Sequence, residues 1–160
     1  MSATPIVSMM KFTRLLLAVL FTAATYIAGY SKIGVEHQMV LGNPSNSTAD
    51  PANNISYLIQ RDQFALDYND QRGVPNWVSW NLTTDDLGSS GRSPVFFADP
   101  DLPPTFYVVQ PTDYQGSGYD RGHMCPSGDR TITRADNDVT FYMSNMVPQA
   151  PDNNQGVWAS

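Results

Sequence analysis

From Tyr57 onward the apolar residues come in short runs, and every run is closed by turn chemistry. "YLIQ" and "QFALDYN" lead to "QRGVP"; "NWVSWNL" runs into "TTDDLGSSGRSPVFFADPDLPP"; "TFYVVQ" gives way to "PTDYQGSGYD"; "ADNDVTFYMSNMVPQ" ends at "APDNNQGVWAS". Apolar stretches of about four to eight residues between Gly, Pro, Asn and Asp clusters have the length of strands. Tyrosine, tryptophan and asparagine are frequent and lysine occurs twice, a composition of strands, tight turns and ordered loops rather than of a helical bundle. With 160 residues, 41 % of them apolar, a single domain with its own core is the default. The expected fold class is α+β with an antiparallel sheet core.

The runs predict specific elements. "YLIQ" and "QFALDYN" are strands, the second joined to "NWVSWNL" as a hairpin through Asp70–Pro75. Trp77 and Trp80 read as core packing. The loop that follows has room for one short helical turn, and Thr105–Gln110 reads as a strand. A further apolar strand is expected over Val139–Met146. A helix should start at Asp152 or Asn153, either of which can cap it, with Trp158 on its first turns.

Charge excludes one class of nucleic-acid protein. The chain has 9 basic and 15 acidic residues, a formal net charge of −6. Proteins that grip nucleic acid by bulk electrostatics are basic, so any such function must rest on a local site.

The N-terminal part differs from the rest. Lys11 and Arg14 precede an apolar run from Leu15 to Tyr30. A positive segment followed by ~7–15 apolar residues is the layout of a secretory signal, and a membrane span takes ~20. An uncleaved anchor and a buried core helix are the alternatives. The organisation expected is a signal peptide over 1–30, a flexible polar lead over 31–56 carrying a solvated His37, and the folded domain over 57–160. Cleavage of the signal would leave a secreted or periplasmic protein with no stable membrane association, in an oxidising compartment. Cys125 is the only cysteine, so it is free or its partner lies outside this chain.

The stretch "YDRGHMCPSGDRT", residues 119–131, concentrates the chemistry. Three readings of His123 compete: a zinc ligand beside Cys125, a base, or a polar residue in a salt-bridged turn. Zinc takes four ligands, usually Cys and His; the other histidine lies in the lead and there is no second cysteine. A neutral imidazole can deprotonate water near neutral pH. About 30 residues later a second strand meets an asparagine-rich helix start. A hairpin with a helix packed across it would put His123 and Asn154 at the same end. An asparagine oxygen is a hard, uncharged ligand suited to Mg²⁺, which keeps several waters. Arg121 and Arg92 supply planar donors for phosphate oxygens. Base, hard ligand and arginines together describe metal-assisted phosphodiester hydrolysis.

"YDRGHMCPSGDRT" followed by "FYMSNMVPQAPDNNQGVWA" closely resembles the DNA/RNA non-specific endonuclease family, whose active site is a ββα-metal (His-Me) finger. "YLIQRDQFALDYN", "RGVPNWVSWNL" and "GSGYDRGH" extend the resemblance upstream, from Tyr57 to the last residue. The resemblance implies that His123 is the general base and Asn154 the direct Mg²⁺ ligand, with Mn²⁺ an alternative metal. It implies that Arg121 contacts or supports the substrate phosphate and that Arg92 stabilises the transition state. Asp120 and Asn145 are expected to support the site from beside it. The implied substrates are DNA and RNA, and the implied products carry 5′-phosphates. The family also places a glutamate some ~7–8 residues after the asparagine, two turns further along the helix. That position falls beyond Ser160, so the ββα-metal site is expected to be incomplete at the C-terminus. The competing expectation is a truncated, non-catalytic relative that binds nucleic acid or a protein partner.

Overall fold

The computed structural model describes residues 37–157. The charged and apolar N-terminal run and Trp158 lie outside the described residues. Two antiparallel sheets organise the fold. In the first, strand β2 (Ala65–Asn69) lies between β1 (Tyr57–Gln60) and β3 (Val74–Ser79). Its central position explains why four successive residues, Ala65 to Tyr68, are buried, where an exposed sheet would alternate. Phe64, Leu66 and Tyr68 form the main core with Ile59, Leu102, Phe106 and Cys125, and Trp80 packs against it.

The β2–β3 hairpin turns earlier than its sequence suggests. Gly73, at a φ of +67°, closes the turn with its N–H on the Asn69 carbonyl at 2.9 Å. Pro75 belongs to β3, opposite Tyr68. A bulge absorbs it: Asp67 pairs with Trp77 and Tyr68 with Pro75, leaving Asn76 as the extra residue. Asn76 uses the irregularity to donate to Asp67 at 3.2 Å and to the Ile55 carbonyl at 2.9 Å.

The polar lead is not loose over residues 37–56. Gln38 is buried, donates to the Asp62 carbonyl at 2.6 Å and accepts from the Asn81 N–H at 2.7 Å. Ser45 and Ser56 both donate to the buried Asp67 carboxylate, at 2.6 and 2.9 Å. Side-chain hydrogen bonds hold this segment on the sheet, which is why apolar periodicity gave no sign of it. His37 is exposed, as expected, and contacts the Asn81 side chain.

The second sheet pairs β4 (Asp120–His123) with β5 (Met146–Gln149), in the register Asp120 with Gln149 and His123 with Met146. Between them the chain makes a 3₁₀ turn at Ser127–Asp129, helix α1 (Arg134–Val139) and another 3₁₀ turn at Met143–Asn145. The strand expected over Val139–Met146 is therefore displaced to β5. Thr133 caps α1 by accepting the Asp136 N–H at 3.1 Å, and Arg134 pairs with Asp138 at 2.6 Å, so the run enters as a helix. Thr105–Gln110 is not a strand either. Its residues are held one by one: Phe106 is buried against Tyr57 and Tyr68, and the Tyr107 N–H is bound by Asp70 at 2.8 Å. The expected short turn occurs at Thr84–Asp86, and the helix expected from Asp152 or Asn153 is a wide helical turn at Asn153–Val157.

Candidate active site

The site begins with a steric requirement in β4. A Cβ on Gly122 would lie 2.7 Å from Cβ of Gln149, so the third residue of Asp-Arg-Gly-His has to be glycine for β4 and β5 to pair. Side chains alternate along a strand. Arg121 and His123 share one face of β4, and Asp120 lies on the other.

On the first face two phenylalanines assemble the charged groups. The His123 ring meets Phe141 edge-on at 4.6 Å and lies 5.8 Å from Phe96, and the two phenylalanines are 5.1 Å apart. The Arg92 guanidinium stands 4.8 Å from the Phe141 ring centre, and that of Arg121 stands 4.1 Å from Phe96. Both are cation–π distances. Arg92 is further fixed by a 2.5 Å hydrogen bond to Ser127. Arg92 is thus brought from about 30 residues upstream to Arg121 and His123 by Phe96 and Phe141, to which the sequence assigned no role at the site. The adjacent aromatics in "VFFADP", next to Arg92, were the available signal.

This setting tunes His123. Burial is the main cause that lowers its pKa to about 4, and the positive charge of Arg92 adds to it. The imidazole is neutral at neutral pH. Its Nε2 is buried, with no hydrogen-bond partner among the described residues.

Asn154 is anchored to the first residue of β4. Its amide nitrogen donates to Asp120 at 3.0 Å, and Gln155 donates to the same oxygen at 2.8 Å. Asp120 pairs with Gln149 at the end of β5, so its carboxylate reaches the chain that follows that strand. The reason is local: the chain turns at Ala150, whose carbonyl takes the N–H groups of Asn153 and Asn154, and stays beside the end of β5. The two amides hold the Asp120 carboxyl below its usual range, Arg121 assisting and burial opposing. Gln155 was not singled out from the sequence.

Asn145 is fully buried and spends its amide on architecture. It accepts the Cys125 N–H at 2.9 Å and donates to the carbonyls of Cys125 and Thr140 at 3.0 and 2.8 Å. It fixes the backbone directly after His123. Cys125 is free and buried in the main core, and burial pushes its thiol up to about 12.

Among the described residues no group of three or more His, Cys, Asp and Glu side chains could hold a metal ion. The donors at hand are oxygens, those of Asn154 and Asp120. A sparse oxygen set suits Mg²⁺ or Mn²⁺ better than softer metals, because Mg²⁺ is held by one or two protein ligands and keeps much of its water.

Comparison with known proteins gives a consistent picture. The model of the family described as DNA/RNA non-specific endonuclease matches residues 41–160, starting inside the polar lead. A nuclease of Nostoc sp. is 47 % identical over 122 residues, covering 76 % of this chain and 44 % of that protein. The mitochondrial nuclease EXOG of Homo sapiens is 42 % identical over 96 residues, 59 % of this chain and 26 % of its own length. The solved structure of an EndoG/EndoGI complex contains a chain with the same fold, at a TM-score of 0.66 and 31 % identity over 79 % of this chain and 49 % of that one. The chain therefore spans less than half the length of the relatives it matches.

Proposed function

The chain belongs to the DNA/RNA non-specific endonuclease family, and from that footing we propose that it hydrolyses phosphodiester bonds of DNA and RNA with little sequence preference, leaving 5′-phosphates, with Mg²⁺ or Mn²⁺ as cofactor. The observation that carries this is the setting of His123, a neutral imidazole held by Phe141 and Phe96, with Arg92 on the first ring and Arg121 on the second.

In this reading His123 takes the proton of the attacking water. A lowered pKa keeps the base form populated across neutral pH, at some loss of basicity. Arg92 and Arg121 oppose the negative charge that grows on the phosphate in the transition state. Asn154 would hold the cation through its amide oxygen, its nitrogen being committed to Asp120. When bound, the cation would offset charge on the phosphate and the leaving 3′-oxygen. Asn145 supports His123 through the following turn and touches no reacting atom. A net charge of −6 favours fast release over tight binding. Export to a secreted or periplasmic location belongs to the same proposal and rests on Lys11, Arg14 and the apolar run after them.

Plasmid nicking tests the proposal, with parent and His123→Ala protein, Mg²⁺, Mn²⁺ or excess chelator. The parent should nick with either metal and stop with chelator, and the variant should be nearly inactive. A variant as fast as the parent removes His123 as the base. A folded parent that binds DNA but never cuts it is the non-catalytic relative.

A further inference from the structure

A groove of about 450 Å³ opens between the β2–β3 turn and the segment leading into β4. That volume is within the ~300–1,000 Å³ usual for sites that take small molecules. Its apolar lining comes from Val74, Val109 and Pro148, and its aromatic surfaces are Tyr107, Tyr114 and Tyr119. Two of these rings are unusually open: Tyr107 is 61 % exposed and Tyr119 is 55 % exposed. Tyr107 is nonetheless pinned at both ends, its N–H on Asp70 at 2.8 Å and its hydroxyl on Asp113 at 3.0 Å. Asp113 is itself held by the Gln110 N–H at 2.8 Å. A large apolar ring in water gains nothing from being fixed there, but a fixed ring lowers the ordering cost of binding a flat ligand.

The charges around the groove select the ligand. Asp70 and Asp113 line it and disfavour a phosphate inside; a neutral, flat, aromatic group meets no such opposition. Cations stand at its ends. Arg72 lines one rim, and a smaller cavity of about 140 Å³ shares Tyr114 and Tyr119 with the groove and reaches Arg121. The shared Tyr114 and Tyr119 walls put Arg121 in the cavity next to the groove, where Asp120 also lines the wall with its carboxylate committed to Asn154 and Gln155.

We propose that this groove is a nucleobase subsite, in which Tyr107 and Tyr119 take up one unstacked base of the substrate strand while Arg121 holds a neighbouring phosphate. The inference rests on the nuclease reading and deepens it. The subsite favours single-stranded or locally melted substrate, because a base inside a duplex stack cannot enter.

The test is binding of a short single-stranded DNA, followed by fluorescence anisotropy in chelator, beside plasmid nicking in Mg²⁺. Tyr107→Ala and Tyr119→Ala should each weaken binding about tenfold, the scale of one lost base stack. Tyr107→Phe keeps the ring but frees it from Asp113, so it should bind more weakly than the parent and more tightly than Tyr107→Ala. One abasic position in the DNA should cost the parent a similar factor and cost Tyr107→Ala nothing further. A parent that cuts and binds, with folded alanine variants that bind just as tightly, overturns the subsite alone; so does an abasic scan with no sensitive position. A parent that neither binds nor cuts overturns the nuclease reading and the subsite with it.

Discussion

Phe64, just before β2, and Leu66 and Tyr68 within it are fully buried and pack on Ile59, Leu102 and Phe106, whereas in the β4–β5 hairpin only Gly122 and Met146 are buried. The first sheet is stabilised by removing apolar area from water, about 1.5–3 kcal/mol for each large side chain fully buried. The hairpin region is shaped mainly by directional polar contacts. Asn145 binds Cys125 and Thr140, and Asn137 binds the carbonyls of Ser127 and Arg130 at 2.8 and 3.0 Å. Arg130, buried behind the hairpin connection, donates to the carbonyls of Gln63 and Asn81, at 2.6 Å and 2.9 Å from one guanidinium nitrogen. Apolar burial is tolerant of small shifts; hydrogen-bond networks are not. The difference teaches where this protein keeps stability and where it keeps geometry.

The sharpest way to break the comparison is to cut on the geometric side alone. His123→Ala should lower the nicking rate by ~10²–10⁴-fold, the usual contribution of a general base, while the thermal midpoint falls little. A large fall in both would mean that the hairpin carries stability as well. The converse cut is Phe64→Ala in the main core beside the first sheet, which should cost ~3–5 kcal/mol in denaturant unfolding. The molecules still folded should cut at the parent rate per molecule.

Asn145→Ala probes the join between the two regions. It leaves buried partners at Cys125 and Thr140 unpaired, at ~1–3 kcal/mol for such a group. Because Cys125 is two residues from His123, the rate should fall as well, with KM for DNA nearly unchanged. A pure stability loss would show that the turn after His123 holds its shape without Asn145.

The smallest effect is in pH. The folded pKa of His123 lies near 4, below its ordinary 6.5. Between these values the unfolded chain binds the proton and the folded protein does not, so the His123 contribution to stability is present above pH 6.5 and is lost as pH falls toward 4. The acid limb of the kcat profile should likewise lie well below 6.5. Arg92→Ala should move that limb upward by removing the secondary, charge-based cause, while leaving burial in place. An unmoved limb would show that Arg92 does not act on the imidazole.

The sequence by itself determined the parts of this protein that depend on local pattern and side-chain chemistry. Short apolar runs specified β1, β2 and β3, because run length and turn residues act within a few positions of each other. Asp-Arg-Gly-His specified β4 and its functional groups, since glycine there is demanded by the neighbouring strand and the imidazole and guanidinium carry their chemistry wherever they stand. Tertiary structure decided the rest. Thr105–Gln110 has the residues of a strand and lacks a ladder, because Phe106 and Tyr107 are claimed individually by the core and by Asp70. Residues 37–56 are polar and still docked, because Gln38, Ser45 and Ser56 find buried partners that no periodicity announces. Arg92 was legible only as a planar donor for phosphate oxygens; its place beside His123 comes from Phe141, which touches both. Asn154 was legible as a hard oxygen ligand, and only the turn at Ala150 put its amide on Asp120. Long-range contacts of this kind depend on which side chains meet after the backbone has closed, and a linear pattern does not contain that information.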